Sequence, residues 1–243
     1  MWLLQTKTGQ LRHFADPRTM KEPYAVLSHV WSYDEQVFRD DTHSILSGLS
    51  PKIASFCERA CADGFELAWM DSCCIDSSSS AEVSEVVNAV YEWFRRAAVC
   101  YVYLADVESE DDPFAPNSQF RQSRWHSRLW ALQELLAPSR IIFLSKDWHA
   151  LGTKASLSVP IQEVTGIPRS VLLGITPLSS VSVARRMSWA SRRRTTRIED
   201  YAYALMGLFG IKLPTIYGEG YHAFTRLQEK ILRQIPDQSI FLW

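Results

Sequence analysis

Four short apolar segments alternate with amphipathic segments along the first 144 residues, and this alternation constrains the fold more than any other feature. The apolar segments are rich in β-branched and aromatic residues, which is typical of buried strands. The predicted strands cover residues 24–31, 67–76, 99–106 and 140–144, the second of them running into polar residues. Strands separated by single helices predict a parallel sheet with right-handed crossovers. The expected fold class is therefore a doubly wound α/β structure with a mostly parallel sheet.

Local signals place the ends of several other elements. Ser50, which is followed by a proline, predicts the start of a helix. Ser79 and Glu82 have the spacing of a capping box, and residues 196–199 repeat that pattern further along the chain. The weak alternation of residues 1–15 around a Thr-Gly turn predicts a small hairpin.

The pattern changes to helices only from about residue 150. We therefore predict an α/β core over residues 1–150 and a helical region over residues 151–243 that packs on the core. The alternative is one continuous domain.

One predicted helix carries an unusual pair of side chains. Leu129, Leu132 and Leu136 recur at helical spacing and form its apolar stripe. Trp130 and Glu134 are four residues apart, so they share a face that lies well away from the leucines. We expect this face to be free of the main core contact. The alternative interpretation is a partly covered surface tryptophan beside a solvated glutamate.

Polar side chains follow three of the predicted strands. Ligands of open parallel sheets bind outside the carboxyl ends of the strands. If all four strands are parallel, one edge collects the residues Ser28, His29, Trp31, Asp71, Asp76 and Asp106, with the Trp130/Glu134 helix beside them.

Composition excludes several classes of protein. The formal net charge of -1 gives no electrostatic reason to expect nucleic acid or an anionic membrane as a partner. No apolar run approaches the roughly 20 residues of a membrane span, and the N-terminal residues lack the pattern of a signal peptide. Five cysteines, an odd number, favour reduced thiols and a cytoplasmic location.

Familiar catalytic and cofactor motifs are missing from the sequence. It contains no C-x-x-C pair, no G-x-S-x-G, no G-x-G-x-x-G and no P-loop. We predict no metal site, because the cysteines are better explained as small buried residues than as zinc ligands. The arginine-rich residues 192–197 could hold a phosphate beside a helix N-terminus. A solvated charged surface is the alternative for that segment.

Several segments together resemble the fungal heterokaryon-incompatibility (HET) domain. They occur in the family's order and are residues 24–31, 69–76, 128–135, 187–190, 194–200 and 217–220. The chain departs from the family pattern at Ser32, where glycine is usual, and at residues 129–131, where Gly-Trp-Thr is usual. Neither departure removes Trp130 or Glu134.

The resemblance implies a fold and a chemistry. HET domains are similar to TIR domains, which have flavodoxin-like α/β folds and act in immune and cell-death signalling. Enzymatic TIR domains carry a W-x-x-x-E pattern whose glutamate cleaves NAD at the nicotinamide–ribose bond, and Trp130 and Glu134 match it. The resemblance thus implies NAD or a related nucleotide as substrate with no further cofactor. It also implies self-association on activation, and fusion to or recruitment by a nucleotide-binding receptor.

The resulting hypothesis assigns a role to each candidate residue. Glu134 is the predicted catalytic carboxylate, and an ordinary glutamate pKa near 4.3 would leave it ionised without tuning. The predicted substrate-binding residues are Ser28, His29, Trp31, Asp71, Asp76, Arg128 and Trp130. Two alternatives stay open: a non-catalytic signalling module that works by self-association, and a folded domain whose polar edge is only structural.

Overall fold

The computed structural model describes residues 1–14, 20–33, 35–38 and 49–242 of the chain. Within these ranges seven strands form one mixed sheet in the order β2-β1-β4-β3-β5-β6-β7. The strands are β1 (Trp2–Gln5), β2 (Leu11–His13), β3 (Tyr24–His29), β4 (Leu67–Met70), β5 (Val99–Tyr103), β6 (Ile141–Leu144) and β7 (Ala150–Thr153).

The four strands predicted from the apolar segments form the parallel centre of the sheet. β3 pairs in parallel with β4 on one side and β5 on the other, and β5 pairs in parallel with β6. Apart from Tyr103, the last residue of β5, all residues of these four strands are buried, as the apolar runs predicted. The order of the four, with the first strand between the second and third, is that of flavodoxin-like sheets. The strand order reverses at β3.

Antiparallel strands complete both edges of the sheet. β1 and β2 form the predicted hairpin and join the sheet through β4. β7 pairs antiparallel with β6, so the sheet continues to Thr153. The expectation that only helices follow residue 150 is therefore wrong for the first residues of that region. Four half-exposed residues that include a glycine carry too little apolar alternation to predict such an edge strand.

Helices connect and follow the strands. The α-helices are α1 (Pro51–Ala62), α2 (Asp71–Cys74), α3 (Ser80–Arg96), α4 (Gln119–Gln122), α5 (Ala131–Leu136), α6 (Ser158–Thr165), α7 (Arg169–Leu172), α8 (Val183–Ser188), α9 (Asp200–Tyr203), α10 (Met206–Phe209) and α11 (His222–Gln234). Short 3-10 helices cover Arg124–Ser127, Leu178–Ser180 and Gln238–Leu242. No helix of the described residues is long and apolar enough to cross a membrane.

Helices cover both faces of the parallel centre. Trp69 lies in register with Val26 of β3, and its ring contacts Trp93 on α3. Tyr101 lies in register with the next residue of β3, so it points to the opposite face, where its ring contacts Phe56 on α1. The two faces carry different helices, and the predicted doubly wound architecture is confirmed.

Two of the predicted helix starts are confirmed. The Ser50 hydroxyl accepts a hydrogen bond from the backbone N–H of Ile53 at the start of α1. The Ser79 hydroxyl accepts from the backbone N–H of Glu82 at 3.3 Å. In a complete capping box the Glu82 carboxylate would also accept from the backbone N–H of Ser79. Here it accepts from the backbone N–H of Asp76 instead.

The third predicted helix start is wrong. No cap forms at Thr196, and α9 begins only at Asp200. The Glu199 carboxylate turns away from the helix and accepts hydrogen bonds from the backbone N–H groups of Gly218 and Gly220 at 2.8 and 3.0 Å. A pair of long-range donors has displaced the local cap, which a short-range pattern cannot reveal.

The C-terminal helices pack against the α/β part. α10 contacts α3, and α7 contacts α5. The division of the chain at residue 150 stays a prediction.

Candidate active site

The carboxyl edge of the parallel strands brings together most of the predicted site residues. Ser28 and His29 end β3, where the strand order reverses, and Asp71 follows β4 directly. Glu134 reaches the same place from the first turn of α5, and Arg128 lies just before that helix. This is the position at which flavodoxin-like sheets bind their ligands.

Glu134 is buried, with only 7% of its surface exposed. The Ser28 hydroxyl donates a hydrogen bond to its Oε2, and Arg128 Nη1 lies 3.7 Å from the same oxygen. Within the described ranges no hydrogen bond to the other oxygen, Oε1, is found. Burial raises the pKa of Glu134 above its usual range, while the Arg128 charge and the Ser28 hydroxyl oppose that rise.

Two expectations about Glu134 therefore need correction. It is neither solvated nor free of core contact, because Glu134 is buried and α5 packs against α3, α7 and the 3-10 helix Arg124–Ser127. Its pKa is also not that of an ordinary glutamate, since burial has displaced water from the carboxylate.

Trp125 supports Glu134 through Ser28. Its indole Nε1–H donates to Ser28 Oγ at 2.7 Å, and both side chains are almost fully buried. With an N–H already directed at its oxygen, the Ser28 hydroxyl has its own hydrogen free to donate to Glu134. Sequence reasoning missed Trp125, which lies in the 3-10 helix ahead of α5.

The buried His29 and the partly exposed Asp71 form a second unit at the same edge. His29 Nε2 lies 3.0 Å from Asp71 Oδ1, and Lys52 Nζ lies 3.3 Å from Nδ1. Because an ionised carboxylate only accepts, the His29 Nε2–H donates to Asp71. Trp31 Nε1 donates to the other Asp71 oxygen at 3.0 Å, while the Trp31 ring is half exposed.

The charge of Asp71 is retained by these donors. Burial alone would raise its pKa, but the hydrogen bonds from His29 and Trp31 and the charge of Arg128 outweigh burial and hold the pKa below its usual range. Asp71 is thus an anion at neutral pH, and it holds the His29 and Trp31 side chains in place.

Trp130 hydrogen-bonds a carboxylate from the C-terminal part of the chain. Its Nε1–H donates to Asp200 Oδ2 at 3.1 Å, and Thr195 donates to the same oxygen at the same distance. Tyr217 donates to the other oxygen of Asp200 at 3.0 Å. Burial raises the pKa of Asp200, and these three donors oppose the rise. Trp130 therefore joins α5 to the C-terminal region.

The arginine-rich segment reaches the same edge. The backbone of Arg194 lies parallel to that of Arg128, with Leu129 N–H donating to Arg194 O at 2.8 Å. Arg193 is buried behind them and donates from Nη1 to Arg128 O at 3.0 Å. Burial lowers the Arg193 pKa to about 10, which leaves its guanidinium charged at neutral pH.

A pocket of about 1120 Å³ opens over these groups. Its polar lining includes His29, Trp31, Asp71, Arg128, Trp130, Glu134, Arg194, Thr195, Thr196, Arg197 and Asp200. Valines of α3 and Ile75 form an apolar wall. Its volume slightly exceeds the roughly 300–1,000 Å³ of ordinary small-molecule sites.

Three predicted members of the edge lie outside the pocket lining. The Asp76 carboxylate accepts hydrogen bonds from the backbone N–H and hydroxyl of Ser78, so it closes a local turn. Asp106 accepts from Ser123 and from the backbone of Arg124. Ser28 itself lies behind Glu134 rather than in the lining.

The cysteines take no part in this arrangement. Cys57, Cys73, Cys74 and Cys100 are buried free thiols, and Cys61 is partly covered. In the part of the chain that the structure describes, no group of three or more His, Cys, Asp or Glu side chains could hold a metal ion.

Comparisons with known proteins agree with the motifs. Residues 24–118 match the sequence model of the heterokaryon incompatibility protein (HET) family, and residues 222–243 match a domain of unknown function (DUF8212). The chain is 42% identical over 234 residues to vegetative incompatibility protein HET-E-1 of Podospora anserina. The match covers 92% of this chain but only 17% of that relative. No solved structure matches the chain. Residues 24–118 of the chain are therefore similar to the heterokaryon incompatibility (HET) family.

Proposed function

We propose that this chain is a TIR-like NAD glycohydrolase of fungal incompatibility, in which Glu134 promotes cleavage of the nicotinamide–ribose bond. The observation that carries the proposal is the buried Glu134 carboxylate at the switch point of the sheet, held at one oxygen by Ser28 and lining a large pocket. A buried carboxylate with a raised pKa in a pocket is typical of functional sites.

The chemistry needs little more than this carboxylate. When the C1′–N bond breaks, nicotinamide leaves as a neutral base and the ribose develops oxocarbenium character. The Glu134 anion stabilises that positive charge and accepts hydrogen bonds from ribose hydroxyls through the unoccupied Oε1. Water then adds to C1′ and loses a proton, giving ADP-ribose. No further cofactor is consumed.

The biological setting of the proposal comes from the relative. The relative is named as a vegetative incompatibility protein, and this chain corresponds to a small part of it. We place the chain as a cytoplasmic cell-death effector domain that is fused to or recruited by a nucleotide-binding receptor. Self-association on activation would raise its activity.

Nicotinamide release from NAD tests the proposal. Wild-type protein at high concentration is compared with Glu134→Gln, which keeps the size of the side chain and its ability to accept from Ser28. Glu229→Gln is the matched control, because Glu229 lies exposed on α11 in an ion pair with Arg233. We expect release by the wild type and the control, and a loss of at least a hundredfold in Glu134→Gln.

Equal release by Glu134→Gln would refute the catalytic role. If no variant releases nicotinamide even when chains are joined by a dimerisation tag, the alternative of a non-catalytic module gains support. In that case toxicity in cells would follow self-association and would be unaffected by Glu134→Gln.

A further inference from the structure

We propose that Arg194 and Arg197 bind the phosphate groups of the ligand in the pocket that Glu134 lines. The inference deepens the proposed function and rests on it for the identity of the ligand, a dinucleotide with a pyrophosphate. It assigns the arginine-rich segment to binding rather than to a solvated surface.

Arg194 is fixed at the mouth of the pocket by its backbone. Its N–H donates to Ser127 O at 2.7 Å, and its carbonyl accepts from Leu129 N–H at 2.8 Å. These two bonds attach the segment to the residues just before α5, the helix that carries Glu134. The exposed Arg194 side chain lines the pocket from this anchored position.

Arg197 is held by an aromatic ring. Its guanidinium carbon lies 4.4 Å from the centre of the Tyr217 ring, within the range of a cation–π contact. The Tyr217 hydroxyl is in turn bonded to Asp200. A guanidinium stacked on a fixed ring keeps its N–H groups in the plane free to bind phosphate oxygens in a bidentate manner.

The neighbouring carboxylates already have other donors. Asp200 accepts from Trp130, Thr195 and Tyr217, and Glu199 accepts from two glycine N–H groups. Within the described residues, no carboxylate lies within 4.0 Å of a nitrogen of Arg194 or Arg197, and the Arg197 charge acts on Glu199 and Asp200 only from further away. The two cations are therefore available to an anion from outside the chain.

The pocket has room for the rest of such a ligand. Glu134 and the arginines line the same space, whose remaining wall includes Ile75 and the valines of α3. An apolar wall of this kind suits a flat base. A ligand with a ribose at Glu134, phosphates at Arg194 and Arg197 and a base on the apolar wall uses all three parts of the lining.

Binding of ADP-ribose, measured by isothermal titration calorimetry, tests the inference without any turnover. Adenosine, which lacks phosphates, is the second probe. We expect Arg194→Gln and Arg197→Gln each to weaken ADP-ribose binding on the order of tenfold or more, since each removes a charge-assisted contact. Adenosine binding should stay the same. Arg192→Gln is the matched control, because Arg192 is an exposed neighbour outside the pocket lining.

Each outcome decides one question. The inference is overturned if ADP-ribose does not bind to the wild type, or if Arg194→Gln and Arg197→Gln weaken it no more than Arg192→Gln does. Protein that binds ADP-ribose through both arginines but never releases nicotinamide keeps this inference and refutes the proposed function. If both arginine variants release nicotinamide with an unchanged KM, the proposed function is kept and the assignment of phosphate binding to these arginines is refuted.

Discussion

Replacing Ser28 by alanine removes one hydroxyl that serves two buried groups. The hydroxyl accepts the Trp125 indole N–H at 2.7 Å and donates to the Glu134 carboxylate. Trp125 is fully covered and Glu134 nearly so, so water cannot readily replace the lost partner. The variant therefore tests whether the Trp125–Ser28–Glu134 chain holds the catalytic carboxylate in place.

The expected size of the effect follows from these contacts. A buried N–H without a partner costs about 1–3 kcal/mol, and a hydrogen bond to a charged group contributes about 1.5–3 kcal/mol. Because both losses arise at one hydroxyl and the site relaxes, we expect the free energy of unfolding to fall by about 3 kcal/mol. For a chain of this length the melting temperature should fall by about 6–12 °C.

Urea and thermal unfolding measure the loss, with Ser191→Ala as the control. The Ser191 hydroxyl is exposed and donates only to the nearby Ser188 carbonyl, so its removal should cost less than about 0.5 kcal/mol. Trp125→Phe, made in the wild type and in Ser28→Ala, completes a double-mutant cycle. We expect a coupling free energy of about 1 kcal/mol between the two substitutions. A Ser28→Ala loss no larger than the control, or strict additivity with Trp125→Phe, would refute the reasoning.

Three further changes test the packing and the titrating groups. Gly207→Ala should destabilise the fold by about 1–3 kcal/mol in urea unfolding, since the added Cβ would lie 2.4 Å from Tyr91 Cβ. Burial lowers the His126 pKa from 6.5 to about 4 in the folded protein. The free energy of unfolding should therefore be highest above pH 6.5 and should fall by about 3 kcal/mol as the pH is lowered towards 4. His126→Gln, which keeps a donor for the Phe120 carbonyl, should flatten that slope. Glu134→Gln should leave the melting temperature at pH 7 unchanged or raise it, because the substitution removes a buried charge. If the Glu134 carboxylate were purely structural, the melting temperature of the variant should fall.

The parallel centre of the sheet was predictable because each of its strands can be recognised from its own short segment of sequence. The segment of residues 24–29 begins with four apolar residues, and all six of its residues are buried, as is typical of a strand covered on both faces. The starts of α1 and α3 were equally local, since a serine side chain bonds an N–H three residues away. β7 was not predictable, because a short, half-exposed edge strand needs no distinctive residues.

The partners of the site residues were much harder to predict than their positions. The helical pattern placed Glu134 away from the leucine stripe but did not reveal that it is buried, and nothing local indicates that Ser28 bonds it across 106 residues of sequence. Trp130 likewise shares a helical face with Glu134 and yet bonds Asp200, 70 residues away. Periodicity identifies which side chains share a face, whereas the group opposite that face depends on how the chain folds back.

The site itself is built from both halves of the chain. Glu134 and its supporting groups belong to the α/β part, but Trp130 is held by Asp200, and the backbone at residues 128–129 is bonded to Arg194. The carboxylate proposed to act on the ribose and the arginines proposed to hold the phosphates thus lie on opposite sides of residue 150, in one pocket. The helical region therefore does more than cover the sheet, because it completes the space in which Glu134 could act.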